Sequence, residues 1–162
     1  MIVGYGDIAS ALEDSPDKIF FASGVSNSQE TRESEYEREV ELLLQQTEHS
    51  HLVYFSSLAV LGGISRYLDH KREMEELVRS TFDIYTIVRI GNIDWGENPH
   101  TLINYLKAHP DAEIQDVYRY IVDKDEFQYW LRLIPDWSCE ISIPGKRMKV
   151  AEVYKKYVGT RD

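Results

Sequence analysis

An α/β domain built on a parallel sheet, with helices covering both faces, is the fold class that this sequence predicts. Three observations lead there. Short apolar runs alternate with amphipathic stretches along most of the chain, the order that parallel strands joined by crossover helices produce. The runs "KIFFAS" and "DIYTIVRIGNI" are nearly continuous in apolar or β-branched residues, as strands buried on both faces are. A length of 162 residues with 43% hydrophobic composition suits one domain around one core.

Taken in order, "MIV" is a very short strand followed by Gly4 and Gly6, and Asp7 opens a short helix with Ile8, Ala11 and Leu12 on one face. "KIFFAS" is a buried strand stopped by Gly24. In "ESEYEREVELLLQQTE" the residues Tyr36, Val40, Leu43 and Leu44 recur at helical spacing with acids between them, an amphipathic helix. "HLVYFSS" is the next strand, and residues 67–80 form a helix whose stripe holds Tyr67, Lys71, Met74 and Val78. "DIYTIVRIGNI" is a strand stopped by Gly91 and Asn92. Beyond "WGENP" the pattern reads as a helix near "HTLINYLK", an extended or mixed piece at "EIQDVYRYIV", a helix at "KDEFQYWLRLI", a strand at "CEISIP" and a helix at "KVAEVYKKYV".

The charge balance narrows the partners. With 28 acidic against 18 basic residues, the formal charge of −10 opposes binding to nucleic acid phosphates and anionic lipid. The basic groups His70-Lys71-Arg72, Lys146-Arg147 and Lys155-Lys156 are small and read as solvated faces. Cys139 is the one cysteine, so neither an internal disulfide nor a cysteine metal cluster is expected. The sequence shows no signal peptide and no apolar run of membrane-spanning length. The expectation is a soluble, cytoplasmic protein without nucleic-acid or membrane partners. His49 and His51 have no third ligand at a recognised spacing, and no metal site is expected.

Two segments carry candidate chemistry. "GYGDIA" sets Gly4, Gly6 and Ala9 at G-x-G-x-x-A spacing between a strand and a helix. Such a turn either lets backbone N–H groups approach a pyrophosphate or simply links the two elements. The acid that usually follows about 20 residues later is missing, since "FFASGVSNS" holds no acid before Glu30. Tyr67 and Lys71 stand four apart on one helix face. A lysine there can tune a tyrosine toward acid/base work near neutral pH. The spacing alone favours the competing reading, in which Tyr67 is core while Lys71 snorkels and pairs with Glu75.

The combination of "VYFSS", a glycine-containing turn, "YLDHK" and "RIGNIDWG" resembles the extended short-chain dehydrogenase/reductases, in particular the NAD-dependent epimerase/dehydratase family. "FASGVSNS" is similar to the family's fourth-strand segment beside the cofactor, "DVYRYIVDKDEF" to its Arg-x-x-x-x-Val-x-Asp stretch, and "ISIPGKRMKVAEVYKKYV" to its closing strand and helix. The resemblance implies a Rossmann-like sheet in which the strand at 1–3 neighbours that near 18–23, then that near 51–56, then that near 84–90. It implies a single truncated domain over 1–162, reduced in its adenosine-binding half because the second and third strands have no counterpart, with a small substrate-side region from about 97.

The same resemblance implies an activity. Ser57 would orient a substrate oxygen, Tyr67 would act as acid/base, and Lys71 would lower the tyrosine pKa and contact the nicotinamide ribose. Gly4, Gly6, Asp7, Ile8, Ala9, Ala22, Gly24 and Lys71 would line the cofactor, and Ser57, Arg89 and Asn92 the substrate. The cofactor would be NAD or NADP, weakly held. The substrate would be a small molecule such as a nucleotide sugar, modified by an oxidoreductase, epimerase or dehydratase of carbohydrate biosynthesis. The alternative is a catalytically inactive Rossmann-fold binding or assembly protein with weakened or lost dinucleotide binding. A reduced sheet also leaves an edge that a second copy could cover, giving a homo-oligomer.

Overall fold

In the computed structural model, which describes residues 1–161, the apolar runs become five parallel strands: β1 (Ile2–Val3), β2 (Lys18–Phe21), β3 (His51–Ser57), β4 (Ile84–Ile90) and β7 (Cys139–Ile143), side by side in that order. The expected neighbours pair in parallel, with Val3 against Phe21, Phe21 against Tyr54 and Tyr54 against Ile87. No strand lies between residues 7 and 17. The fold is therefore α/β and Rossmann-like, with β1 as one edge of the sheet.

Side-chain alternation sorts the strands into two cores. Leu52, Tyr54 and Ile87 pack with Leu43, Met74 and Val78 beneath α2 (Glu33–Leu44) and α3 (Arg66–Thr81). Val53, Phe55, Val88 and Ile90 pack on the other face with Ala11, Phe127 and Ile134, under α1 (Asp7–Ser10) and α5 (Lys124–Leu131). Capping fixes two of these helices, since Ser65 accepts from Leu68 N and Asp123 from Glu126 N.

A second, three-stranded sheet joins β5 (Asn92–Ile93), β6 (Tyr118–Val122) and β8 (Lys146–Lys149). β6 pairs parallel with β5 and antiparallel with β8. α4 (Leu102–Ala108) and α6 (Val150–Tyr157) cover it through Ile103, Leu106, Val153 and Tyr154. The sequence reading of 118–122 as extended is specified here, and β5 and β8 are additional. "KRMK" carries three cations and one buried side chain, Met148, so it lacks the apolar alternation of a strand and owes its conformation to pairing with β6.

Among the described residues no helix is long and apolar enough to cross a membrane. Nor do three His, Cys, Asp or Glu side chains gather so as to hold a metal ion among them; His49 bonds Asp83, and His51 bonds Thr86.

Candidate functional site

At the carboxyl ends of β1 to β4 a cleft of about 840 Å³ opens, the usual place for ligands in open α/β sheets. Its walls include Gly6, Asp7 and Ile8 after β1, Ala22 to Ser26 after β2, Ser56 and Ser57 ending β3, Tyr67 and Lys71 on α3, and Gly91 to Ile93 after β4. Ser57, Tyr67, Lys71, Asn92, Gly6, Asp7, Ile8, Ala22 and Gly24 are thus brought together, whereas Gly4 and the buried Ala9 do not line the cleft.

The glycine turn has a local cause. Gly4 adopts φ +121°, and a Cβ there would lie 2.3 Å from the Ala22 carbonyl oxygen, so only glycine lets β1 turn away this close to β2. A Cβ on Gly6 would meet nothing within 4 Å. Asp7 acts differently from a ligand residue. Its carboxylate accepts from Glu97 N at 3.0 Å and Asn98 N at 2.9 Å, while its carbonyl accepts from Trp95 Nε1 at 2.9 Å. Asp7 thereby fastens the 95–98 segment to the glycine turn and sets a negative charge beside it.

Ser57 caps the 3-10 turn Leu58–Leu61, its Oγ accepting from Ala59 N at 3.2 Å. Strand alternation turns Ser56 the opposite way, and its hydroxyl donates to Glu75 Oε2 at 2.7 Å. Tyr67 is half-buried, and its hydroxyl makes no hydrogen bond among the described residues. Asn92 Nδ2 donates to the Tyr120 carbonyl.

Arg89 corrects the sequence expectation. It lies on the α3 side of β4, opposite Ile90, and its Nη2 contacts Glu75 Oε1 at 2.5 Å and Glu140 Oε1 at 2.6 Å. It does not line the cleft. Glu75 is likewise engaged by Arg89, Arg79 and Ser56, so the Lys71–Glu75 pairing of the competing structural reading does not form.

Lys71 instead reaches Glu39 of α2. Its Nζ stands 3.3 Å from Glu39 Oε1 and donates to the Tyr54 hydroxyl at 3.2 Å. Tyr54 donates to Glu39 Oε2 at 2.5 Å, and Val25 N donates to Glu39 Oε1 at 2.7 Å. Both charges are buried, with Glu39 0% and Lys71 3% exposed. His70 Nε2 lies 3.2 Å from Glu39 Oε1 but is not aligned with it and makes no hydrogen bond. Burial pushes the Glu39 carboxyl up, yet the Lys71 charge, the adjacent His70 imidazole and the bonds from Tyr54 and Val25 outweigh it and hold the group well below the usual carboxylate range. Burial pushes the Lys71 ammonium down, and Glu39 reverses that shift. Burial and the nearby Glu39 charge drive the Tyr54 phenol well above its ordinary value. The Tyr67 ring centroid is 5.6 Å from Lys71 Nζ. What reaches Tyr67 is therefore the field of a compensated ion pair, weaker than that of a lone cation.

Sequence reasoning missed Glu39 and Tyr54. The signal for Glu39 was its place between Tyr36 and Leu43 on the buried stripe of α2, beside Val40; Leu44, expected inside, is 51% exposed.

No family model matches the sequence, and no curated protein matches it significantly. Solved structures share the fold. Bordetella bronchiseptica enzyme WbmG in complex with NAD and UDP superposes with a TM-score of 0.67 at 11% identity, covering 88% of this chain and 56% of that one. Bacillus anthracis dTDP-4-dehydrorhamnose reductase in complex with NADP gives 0.65 at 16%, covering 88% and 61%. Thermus thermophilus UDP-glucose 4-epimerase with NAD gives 0.61 at 14%, covering 85% and 60%. This chain spans little more than half the length of these structures.

Proposed function

We propose that the cleft binds the nicotinamide half of NAD or NADP beside a nucleotide sugar, and that Tyr67 moves a proton to or from a substrate oxygen held by Ser57. The observation that carries this reading is the convergence of Ser57, Tyr67 and Lys71 with the glycine turn on one cleft at the strand ends. The likeness in fold to nucleotide-sugar enzymes crystallised with NAD or NADP supports it. A bound nicotinamide would supply the hydride acceptor or donor. Gly6, Ala22, Gly24 and Lys71 would flank it, and Asn92 would face the substrate.

The fit is one-sided. Among the described residues no strand lies beyond β1, where an adenosine ribose would be received, and the Asp7 carboxylate opposes a pyrophosphate at the turn. Loss of a charge-assisted ribose contact costs about 1.5–3 kcal/mol, roughly one to two decades in affinity. Calorimetric titration with NADH and NADPH, alone and with UDP-sugars, is expected to give dissociation constants in the high micromolar range or weaker, unless a second copy completes the pocket. Sub-micromolar binding to a monomer would contradict the one-sided pocket.

A second reading, a binding or assembly protein without turnover, is favoured by the Glu39–Lys71 ion pair, which compensates the cation that would otherwise act on Tyr67. Absence of binding to either dinucleotide at millimolar concentration would select it.

A further inference from the structure

We propose that Glu39 is a positioning residue of the cleft: its buried carboxylate ties Lys71 and the Gly24–Val25 segment into one wall beside Tyr67. This rests on the reading of the cleft as a ligand site. The tie is built from three elements at once. Glu39 projects from α2, Lys71 from α3 and Tyr54 from β3, and the Val25 amide closes on the same carboxylate from the loop after β2. A Cβ on Gly24 would stand 2.6 Å from Lys71 Nζ and 3.1 Å from Glu39 Oε1. The backbone at Gly24 thus closes over the pair, and Lys71 has no room to leave it on that side.

A second feature separates this arrangement from ordinary surface pairing. Glu39, Tyr54, His70 and Lys71 are all at most 3% exposed, yet Lys71 and the Gly24–Val25 segment also border the cleft. A cation taken out of water keeps its proton only with a partner of opposite charge. The groups facing the ammonium are Glu39 from α2, Tyr54 from β3 and Tyr67 from α3, with Arg38 farther out on α2 and His70 against Glu39; Glu39 is the nearest carboxylate. Removing its charge while keeping its shape should therefore release the Lys71 proton and convert the amine into a nucleophile.

The test compares wild-type protein with Glu39→Gln, whose amide can still accept from Val25 N. Each is treated with cyanate, which reacts with neutral amines, and carbamoylation of Lys71 is read by mass spectrometry between pH 6 and 9 against exposed Lys156. Lys71 should be at least tenfold more reactive in Glu39→Gln at pH 7.5, with Lys156 unchanged and circular dichroism native. Gly24→Ala, which pushes Nζ away from the carboxylate, should move Lys71 in the same direction and serves if Glu39→Gln does not fold. A Lys71/Lys156 ratio within twofold of wild type in every variant that folds would overturn the inference. NADH titration of the wild type judges the proposed function separately: if NADH does not bind, that function falls, while the cyanate ratio still decides the role of Glu39.

Discussion

Replacing Lys71 by methionine removes one charge of a buried pair and leaves the other. At 3.3 Å and an effective dielectric of about 20, the lost attraction is about 5 kcal/mol. Part of this is regained because Met needs no hydration, and Glu39 can escape its isolation by taking up a proton. That escape sets a ceiling. Protonating a carboxyl of ordinary pKa about 4.3 at pH 7 costs about 3.7 kcal/mol. The expected loss for Lys71→Met at pH 7 is therefore about 3–4 kcal/mol, within the range for breaking buried pairs. For a chain of this length it corresponds to about 6–16 °C in Tm.

The sign of the pH dependence follows. In the wild type the folded-state pKa of Glu39 is depressed, so its contribution is present above the unfolded pKa and is lost only as pH falls below it. In Lys71→Met burial acts alone, the folded-state pKa rises above the unfolded value, and the folded state gains as pH falls. Between pH 7 and pH 5 the gap between variant and wild type should shrink by up to about 2.7 kcal/mol. The double variant Lys71→Met/Glu39→Gln, which has no charge to isolate, should recover most of the loss and lack this pH dependence. The assay is urea denaturation followed by circular dichroism at each pH. A Lys71→Met loss below about 1 kcal/mol at pH 7, or one that does not change toward pH 5, would refute the reasoning.

Three further outcomes are expected. Tyr67→Phe should change stability by less than about 0.5 kcal/mol, because its hydroxyl makes no hydrogen bond among the described residues, while removing most turnover of any substrate found; unchanged turnover would end the acid/base assignment. Arg89→Ala should cost about 1.5–3 kcal/mol in the same denaturation assay by removing one of the two arginines that Glu75 and Glu140 share, yet leave NADH affinity within about twofold; a large affinity change would return Arg89 to the substrate site. Asp7→Ala should speed hydrogen exchange at the Glu97 and Asn98 amides by about tenfold or more, as the loss of their shared acceptor unlocks the segment locally.

The sequence by itself determined the fold class, and the resemblance of its motifs to the short-chain dehydrogenase/reductases implied the order of the first four strands of the main sheet, β7 being added by the structure. Each strand is a local apolar run and each covering helix a local periodic pattern, as in "KIFFAS" and the Tyr36–Leu43 stripe. The grouping of Ser57, Tyr67 and Lys71 came from the resemblance of their motifs to the short-chain dehydrogenase/reductases, and the structure sets the three on one cleft. Tertiary structure decided what these residues do next. Arg89 differs from Ile90 by one position, and only the side of the sheet that α3 covers sends it to Glu75. Lys71 is 32 residues from Glu39, and although Glu39 falls on the buried stripe of α2 with Tyr36 and Leu43, no local pattern assigns Lys71 to it. β8 likewise follows from pairing with β6 rather than from its own residues. Apolar periodicity is written within a few turns of chain, whereas a buried charge is placed by whichever distant group can offset its loss of water.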